Sequence, residues 1–138
     1  MSTNAAHGAG RGEGDTIQLP WRGIPLTANQ IRRMHYQHEA KVKRTLIAEA
    51  TTAIRAAHTQ PRNEAEVILH YRPGTRRRCD ADGASPTLKV ILDALVQTGI
   101  LPDDNWQHVP SVGIRIHEPH RGQPAQTWLE LREVNHAA

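Results

Sequence analysis

The sequence predicts an α+β fold, a small mixed β-sheet carrying two main amphipathic helices. Three observations predict it. Two stretches repeat apolar residues at helical spacing, and four read as short alternating strands. The last two of those strands follow one another with no helix between them, which argues against a doubly wound parallel sheet. A chain of 138 residues has room for one core. The predicted organisation is therefore a disordered tail over residues 1–14, rich in Gly and Ala, and a single domain over residues 15–138.

Residues 16–20 read as a short strand stopped by Pro20. Residues 21–37 are irregular and carry Arg22, Arg32, Arg33, His35 and Tyr36; a loop of that length inside a compact domain is usually functional or mobile. Over residues 38–58 the spacing of Val42, Leu46, Ala50, Ala53, Ile54 and Ala57 marks one face of a helix, whose polar side carries Lys41, Arg44 and Arg55. Pro61 breaks it. Residues 64–71 alternate, with Val67, Leu69 and Tyr71 on one face.

The second helix has the stronger signals. Ser85 suits an N-cap and Pro86 a first helical position, Leu88, Ile91, Leu92, Leu95 and Val96 follow at helical spacing, and Gly99 supplies the stop. An acidic turn over residues 100–105 follows. Val112, Ile114 and Ile116 then alternate as a strand, as do Thr127, Leu129 and Leu131, and residues 119–124 between them read as a hairpin loop.

Composition excludes several classes. The hydrophobic fraction of 38% is that of a globular protein, and no apolar run approaches the ~18 residues of a membrane span. The first fourteen residues lack the apolar core of a signal peptide. One cysteine, Cys79, makes neither an intrachain disulfide nor a thiolate metal site, and nothing beside it identifies a partner base. A soluble, cytoplasmic protein with no membrane partner is expected.

The net charge of +3 conceals an asymmetry. Residues 1–78 hold thirteen of the 17 Lys and Arg but only six of the 14 Asp and Glu, and five of the remaining eight carboxylates fall between Asp80 and Asp104. A basic body beside an acidic patch could attract a polyanion while holding the cation that meets it. Two oppositely charged solvated faces would give the same composition.

Asp80 and Asp82 lie two apart, so in an extended segment their carboxylates share a side. They fall between a predicted strand and the start of a predicted helix, and Asp103 and Asp104 follow that helix. Hard cations such as Mg2+ take oxygen ligands, so clustered carboxylates with no other donor type would suit one or two of them; Asp also serves loops by making turns and caps. Lys89 and Asp93 share a helix face at i, i+4, either as a surface ion pair or with Lys89 placed to steady an anionic reaction centre. Arg76, Arg77 and Arg78 directly precede Cys79 and Asp80, as a solvated edge or as phosphate contacts. Weaker signals carry less. His117 and His120 flank a proline and do not form the helical two-histidine zinc motif. Trp21, Trp106 and Trp128 read as core or interface residues.

Residues 76–104, RRRCDADGASPTLKVILDALVQTGILPDD, together resemble the RusA-like family of Holliday-junction endonucleases. The family pattern is a basic run, Asp-x-Asp-Asn, a helix with Lys-x-x-x-Asp-Ala-Leu, then Gly and an Asp pair. Here these are Arg76 to Arg78, Asp80 and Asp82, Lys89 with Asp93-Ala94-Leu95, Gly99, and Asp103-Asp104. Leu19-Pro20-Trp21 is similar to the family's opening strand and turn. Two departures stand out: Gly83 replaces the Asn after the second Asp, and the segment 82–89 is longer, with Ser85-Pro86-Thr87 filling it.

The resemblance implies a RusA-like fold and a homodimeric, Mg2+-dependent endonuclease (Mn2+ can substitute) that resolves four-way or other branched DNA by paired, symmetric hydrolysis. By its pattern Asp80, Asp82 and Asp104 hold metal, Lys89 is the catalytic lysine, and Asp103 is adjacent to the key position. Arg32, Arg33, Lys41, Arg44, Arg76, Arg77 and Arg78 are the candidates for DNA-backbone contacts. The implied compartment is the cytoplasm of a bacterial or phage-infected cell. Three other readings share these residues: a structure-specific DNA-binding protein with impaired catalysis, motivated by Gly83; a nuclease acting on flaps or forks; and a basic interaction module whose acidic turn is only solvated.

Overall fold

The computed structural model describes residues 14–76 and 79–136. Its order is β1 (Gly14–Gln18), α1 (Ala28–Arg32), α2 (Tyr36–Ala56), β2 (Glu66–Arg72), a 3-10 turn (Ala81–Ala84), α3 (Ser85–Gln97), β3 (Val112–Ile116) and β4 (Gln126–Arg132). The four strands form one mixed sheet in the order β1-β4-β2-β3. The α+β class with a small mixed sheet is what the sequence predicts.

The helices cover one sheet face. Ile17, Val67, Leu69, Leu129 and Leu131 line it and pack with Ala50 and Ile54 of α2 and Leu88, Ile91 and Leu95 of α3. Strand alternation sends the intervening residues to the other face, and cross-strand register aligns them there: Ile68 faces Glu130, His70 faces Trp128 and Arg115. The predicted stripe of α2 is buried at Leu46, Ala50 and Ile54. Gly99 ends α3 as predicted, with φ +78°, while the N–H groups of Ile100 and Leu101 both return to the Leu95 carbonyl.

Four sequence expectations are corrected. Gly14 belongs to β1 rather than to the tail, paired with Arg132; residues 1–13 lie outside the described region. The strand runs Gly14–Gln18, with one further bond from Leu19 N–H to Thr127 C=O before Pro20, which has no N–H, ends the pairing.

The loop over residues 21–37 contains α1. Thr27 accepts from Gln30 N–H while the Gln30 side chain accepts from Thr27 N–H. That capping box is written in the sequence as Thr-x-x-Gln. His35 then caps α2, which starts at Tyr36.

Ser85 is not the N-cap of α3. The 3-10 turn runs into the helix, so Ser85 is already helical, Ala84 occupies the cap, and the Ser85 hydroxyl donates to the Asp82 carbonyl at 2.8 Å.

Finally, β3 and β4 do not form a hairpin. β3 pairs in parallel with β2, and β4 inserts antiparallel between β1 and β2. Burial explains the choice. β4 buries Thr127, Leu129 and Leu131 completely, as an interior strand does, whereas β3 leaves Val112 half exposed, as an edge strand can. The parallel β2–β3 pair requires a crossover, and α3 supplies it.

Candidate active site at the end of strand β2

The crossover leaves the carboxyl end of β2 and enters α3, and both aspartates of the Asp-x-Asp lie at that junction. The backbone is extended at Asp80, as the sequence pattern suggests, but turns directly after it. Asp80 flanks the 3-10 turn, its carbonyl accepting from Gly83 N–H at 3.1 Å, and Asp82 lies inside the turn. Both nevertheless line one open cleft of about 530 Å3, with Tyr71, Asn29, Arg32 and Gly83. The turn, rather than strand alternation, brings them together.

The helix α1 also lines the cleft, and one side chain positions it. Thr87, fully buried in α3, accepts from Leu26 N–H at 3.2 Å and donates to Leu26 C=O at 2.7 Å. Leu26 immediately precedes the Thr27 cap, so α1 begins beside a point tied to α3. Ile31 packs into a small core with Leu26, Leu46 and Val90. That leaves Ala28, Asn29 and Arg32 on the cleft side. Arg32 Nη2 donates to Asn29 Oδ1 at 2.9 Å.

Lys89 and Asp104 form a second group. Lys89 Nζ lies 2.6 Å from Asp104 Oδ2 and 3.2 Å from Asp93 Oδ1, so the i, i+4 pair read from the sequence is present and Asp104 joins it. The hydrogen bond from Lys89 holds the Asp104 carboxyl below its ordinary range, and the bond to Asp104 holds the Lys89 ammonium above its own. Lys89 is therefore a cation at neutral pH and not a base. Asp103 plays a different part. Its carboxylate accepts from Asp104 N–H at 2.7 Å and from Asn105 Nδ2 at 3.2 Å, which shapes the turn that presents Asp104.

The structure thus divides the residues singled out by sequence. Asp80 and Asp82 share the cleft; Asp104 lies with Lys89 and Asp93. Among the described residues no three carboxylates, imidazoles or thiolates are gathered closely enough to hold one ion. By donor chemistry the cleft suits Mg2+, which takes one or two carboxylates and completes its shell with water and substrate phosphate. Asp80 and Asp82 would hold it.

Of the seven basic candidates, only Arg32 lines this cleft among the described residues. Arg33 caps the end of α1, and Lys41 and Arg44 are carried on α2. Arg76 pairs with Glu118 at 2.8 Å and borders a neighbouring cleft with Cys79 and His117. Arg77 and Arg78 lie outside the described residues. Cys79 is an exposed free thiol.

Sequence reasoning missed two features. Asn29 and Tyr71 enter the cleft from elements read as loop and core. On the other face of the sheet, His70, only 5% exposed, bonds Glu130 Oε1 through Nε2 at 2.7 Å and His117 Nε2 through Nδ1 at 2.8 Å. A carboxylate only accepts, so His70 Nε2 carries a hydrogen; in a neutral ring Nδ1 then accepts from His117. The Trp128 ring lies parallel to His70, 4° and 5.1 Å away, and Arg132 Nε donates to Glu130 at 2.7 Å. Burial raises the Glu130 carboxyl, but the bonds from Arg132 and His70 outweigh it and hold the group below its ordinary range. The signal was the outward-facing run Trp128, Glu130, Arg132 on an alternating strand. Of the other tryptophans, Trp21 packs on the core as expected, while Trp106 is 76% exposed.

Neither the protein-family models nor the curated proteins compared with this chain give a match. Among the described residues no helix is long and apolar enough to cross a membrane.

Proposed function

We propose that this chain is a RusA-like, Mg2+-dependent endonuclease that resolves four-way DNA junctions. The observation that carries the reading is that Asp80, Asp82 and Arg32 line the same open cleft. A bound Mg2+ would supply an activated water and neutralise charge on the leaving 3′-oxygen. Asp80 and Asp82 would hold that cation and Arg32 would meet a phosphate oxygen; the family pattern gives Lys89 the offsetting of developing negative charge, which requires it to leave Asp104 and reach the cleft that it does not line here. The water oxygen would bond to phosphorus as the P–O3′ bond breaks, the proton that the water gives up going to solvent and the 3′-oxygen taking one from solvent. The products are a 5′-phosphate and a 3′-hydroxyl.

A junction presents two symmetry-related strands, so paired incision calls for two sites, which a two-fold homodimer provides. Asp104 is the third carboxylate of the family pattern. Its engagement by Lys89 favours one competing reading, a structure-specific DNA-binding protein with impaired catalysis.

The test is cleavage of a labelled four-way junction beside a duplex of equal length, in Mg2+, in EDTA, and with Asp82→Asn. Paired symmetric nicks that need both Mg2+ and Asp82 are the expected result. Tight junction binding without cleavage in Mg2+ or Mn2+ would replace the nuclease with the binder, and equal cutting of flaps and forks would widen the substrate to branched DNA in general.

A further inference from the structure

The cleft poses an electrostatic problem. Two carboxylates repel a phosphodiester, and a bound Mg2+ would offset their charge but leave none over for the phosphate that enters. Among the described residues Arg32 is the only lysine or arginine lining the cleft, and it does not stand alone. Its guanidinium can only donate, so the Asn29 atom it meets at 2.9 Å must be the carbonyl oxygen. That contact orients the Asn29 side chain, and the amide hydrogens are left as the group's donors. Asn29 and Arg32 are one helical turn apart on the cleft side of α1, which Thr87 anchors through both backbone groups of Leu26.

Beside Asp82 the lining has a gap. A Cβ built on Gly83 would meet nothing within 4 Å, so the position beside Asp82 offers the cleft no side chain and leaves space there.

We propose that Asn29 and Arg32 form the phosphodiester-gripping pair of this cleft, and that Asn29 supplies from α1 the polar donor absent at Gly83. The guanidinium contributes charge and two-pronged geometry to one phosphate. The Asn29 amide donates to a second oxygen of the same group. This proposal rests on the reading of the cleft as a phosphodiester site.

The test has two arms. In EDTA, binding of a fluorescent four-way junction is measured against salt for wild type and Arg32→Ala. Loss of one phosphate contact weakens binding and lowers the salt slope by about one. An unchanged slope overturns the grip whether or not the protein cuts DNA.

In Mg2+, Asn29→Ala is expected to lower kcat about 100-fold, as loss of one transition-state donor does. Adding Gly83→Asn in the same chain should restore the rate to within about threefold of wild type. A rate within about twofold of wild type for Asn29→Ala, or a loss that Gly83→Asn leaves unrepaired, overturns the role of Asn29. A wild-type protein that fails to cut overturns the nuclease reading instead, and the salt arm still decides the grip.

Discussion

Lys89 Nζ stands 2.6 Å from Asp104 Oδ2, so one ammonium on α3 holds the acidic turn that follows that helix. The pair is partly exposed, with the lysine side chain 57% and the aspartate 29% accessible. Exposed pairs contribute about 0–1 kcal/mol to folding. Lys89→Met should therefore cost less than about 1 kcal/mol in urea unfolding. If Lys89 offsets transition-state charge, the same change should lower junction cleavage about 100-fold or more.

The pH dependence of that pair has a definite sign. The folded Asp104 carboxyl lies below its ordinary value, so its contribution is present above that value and is lost as pH falls through the folded one. The folded Lys89 lies above its own ordinary value, so its contribution is lost only as pH rises through the folded value. Wild type and Lys89→Met should thus differ by a constant small amount between about pH 5 and about pH 9. A difference that changed sign inside that window would contradict the pairing.

Thr87 should prove to be the residue that holds α1 in place beside the cleft. Thr87→Val keeps the shape but strands the buried N–H and C=O of Leu26, a loss of about 2 kcal/mol. Thr87→Ser keeps both bonds and should cost less than about 1.5 kcal/mol. Thermal or urea unfolding checks the stabilities. Junction affinity should fall for the valine variant and hold for the serine variant, because only the former releases α1.

His117 should make the protein acid-sensitive at mild pH. Burial holds its imidazole below the ordinary value of 6.5, helped by the charges of His70, Arg115, Arg72 and His120. The unfolded chain therefore binds a proton that the folded chain resists, and stability falls as pH drops through about 6.5 until the folded group also protonates. His117→Gln cannot titrate, and its unfolding free energy should change less than that of wild type between about pH 7.5 and about pH 5.5. Equal slopes for the two proteins would remove His117 as the sensor.

What was readable in the chain was local. The stripes Leu46, Ala50, Ile54 and Leu88, Ile91, Leu95 repeat at the helical period because one side of each helix meets the sheet. Gly99 marks its turn because a positive φ suits a residue without Cβ. The side-by-side placement of Asp80 and Asp82 was also legible, although the reason is a 3-10 turn and not an extended strand.

Strand neighbours were not legible. Val112, Ile114, Ile116 and Thr127, Leu129, Leu131 show the same alternation, and alternation fixes which face a residue takes but not which strand lies beside it. Placing β4 between β1 and β2 is a matter of how much apolar surface each strand can bury. Only that placement sets Glu130 and Trp128 on β4 beside His70 on β2. The part of the cleft lined by α1 was hidden for a similar reason. Asn29 and Arg32 read as loop residues until Thr87, far along the chain, ties Leu26 to α3.

By itself, then, the sequence determined the fold class, the two main helices, the acidic residues at the strand–helix junction and the charge around them, because each follows from periodicity or spacing along a short stretch of chain. The tertiary structure alone decided the strand order, the separation of Asp104 from Asp80 and Asp82, the partly buried His70–Glu130 pair and the facing of α1 onto the cleft. Those depend on contacts between residues tens of positions apart, where burial and hydrogen-bond satisfaction over the whole core, rather than local pattern, select the partner.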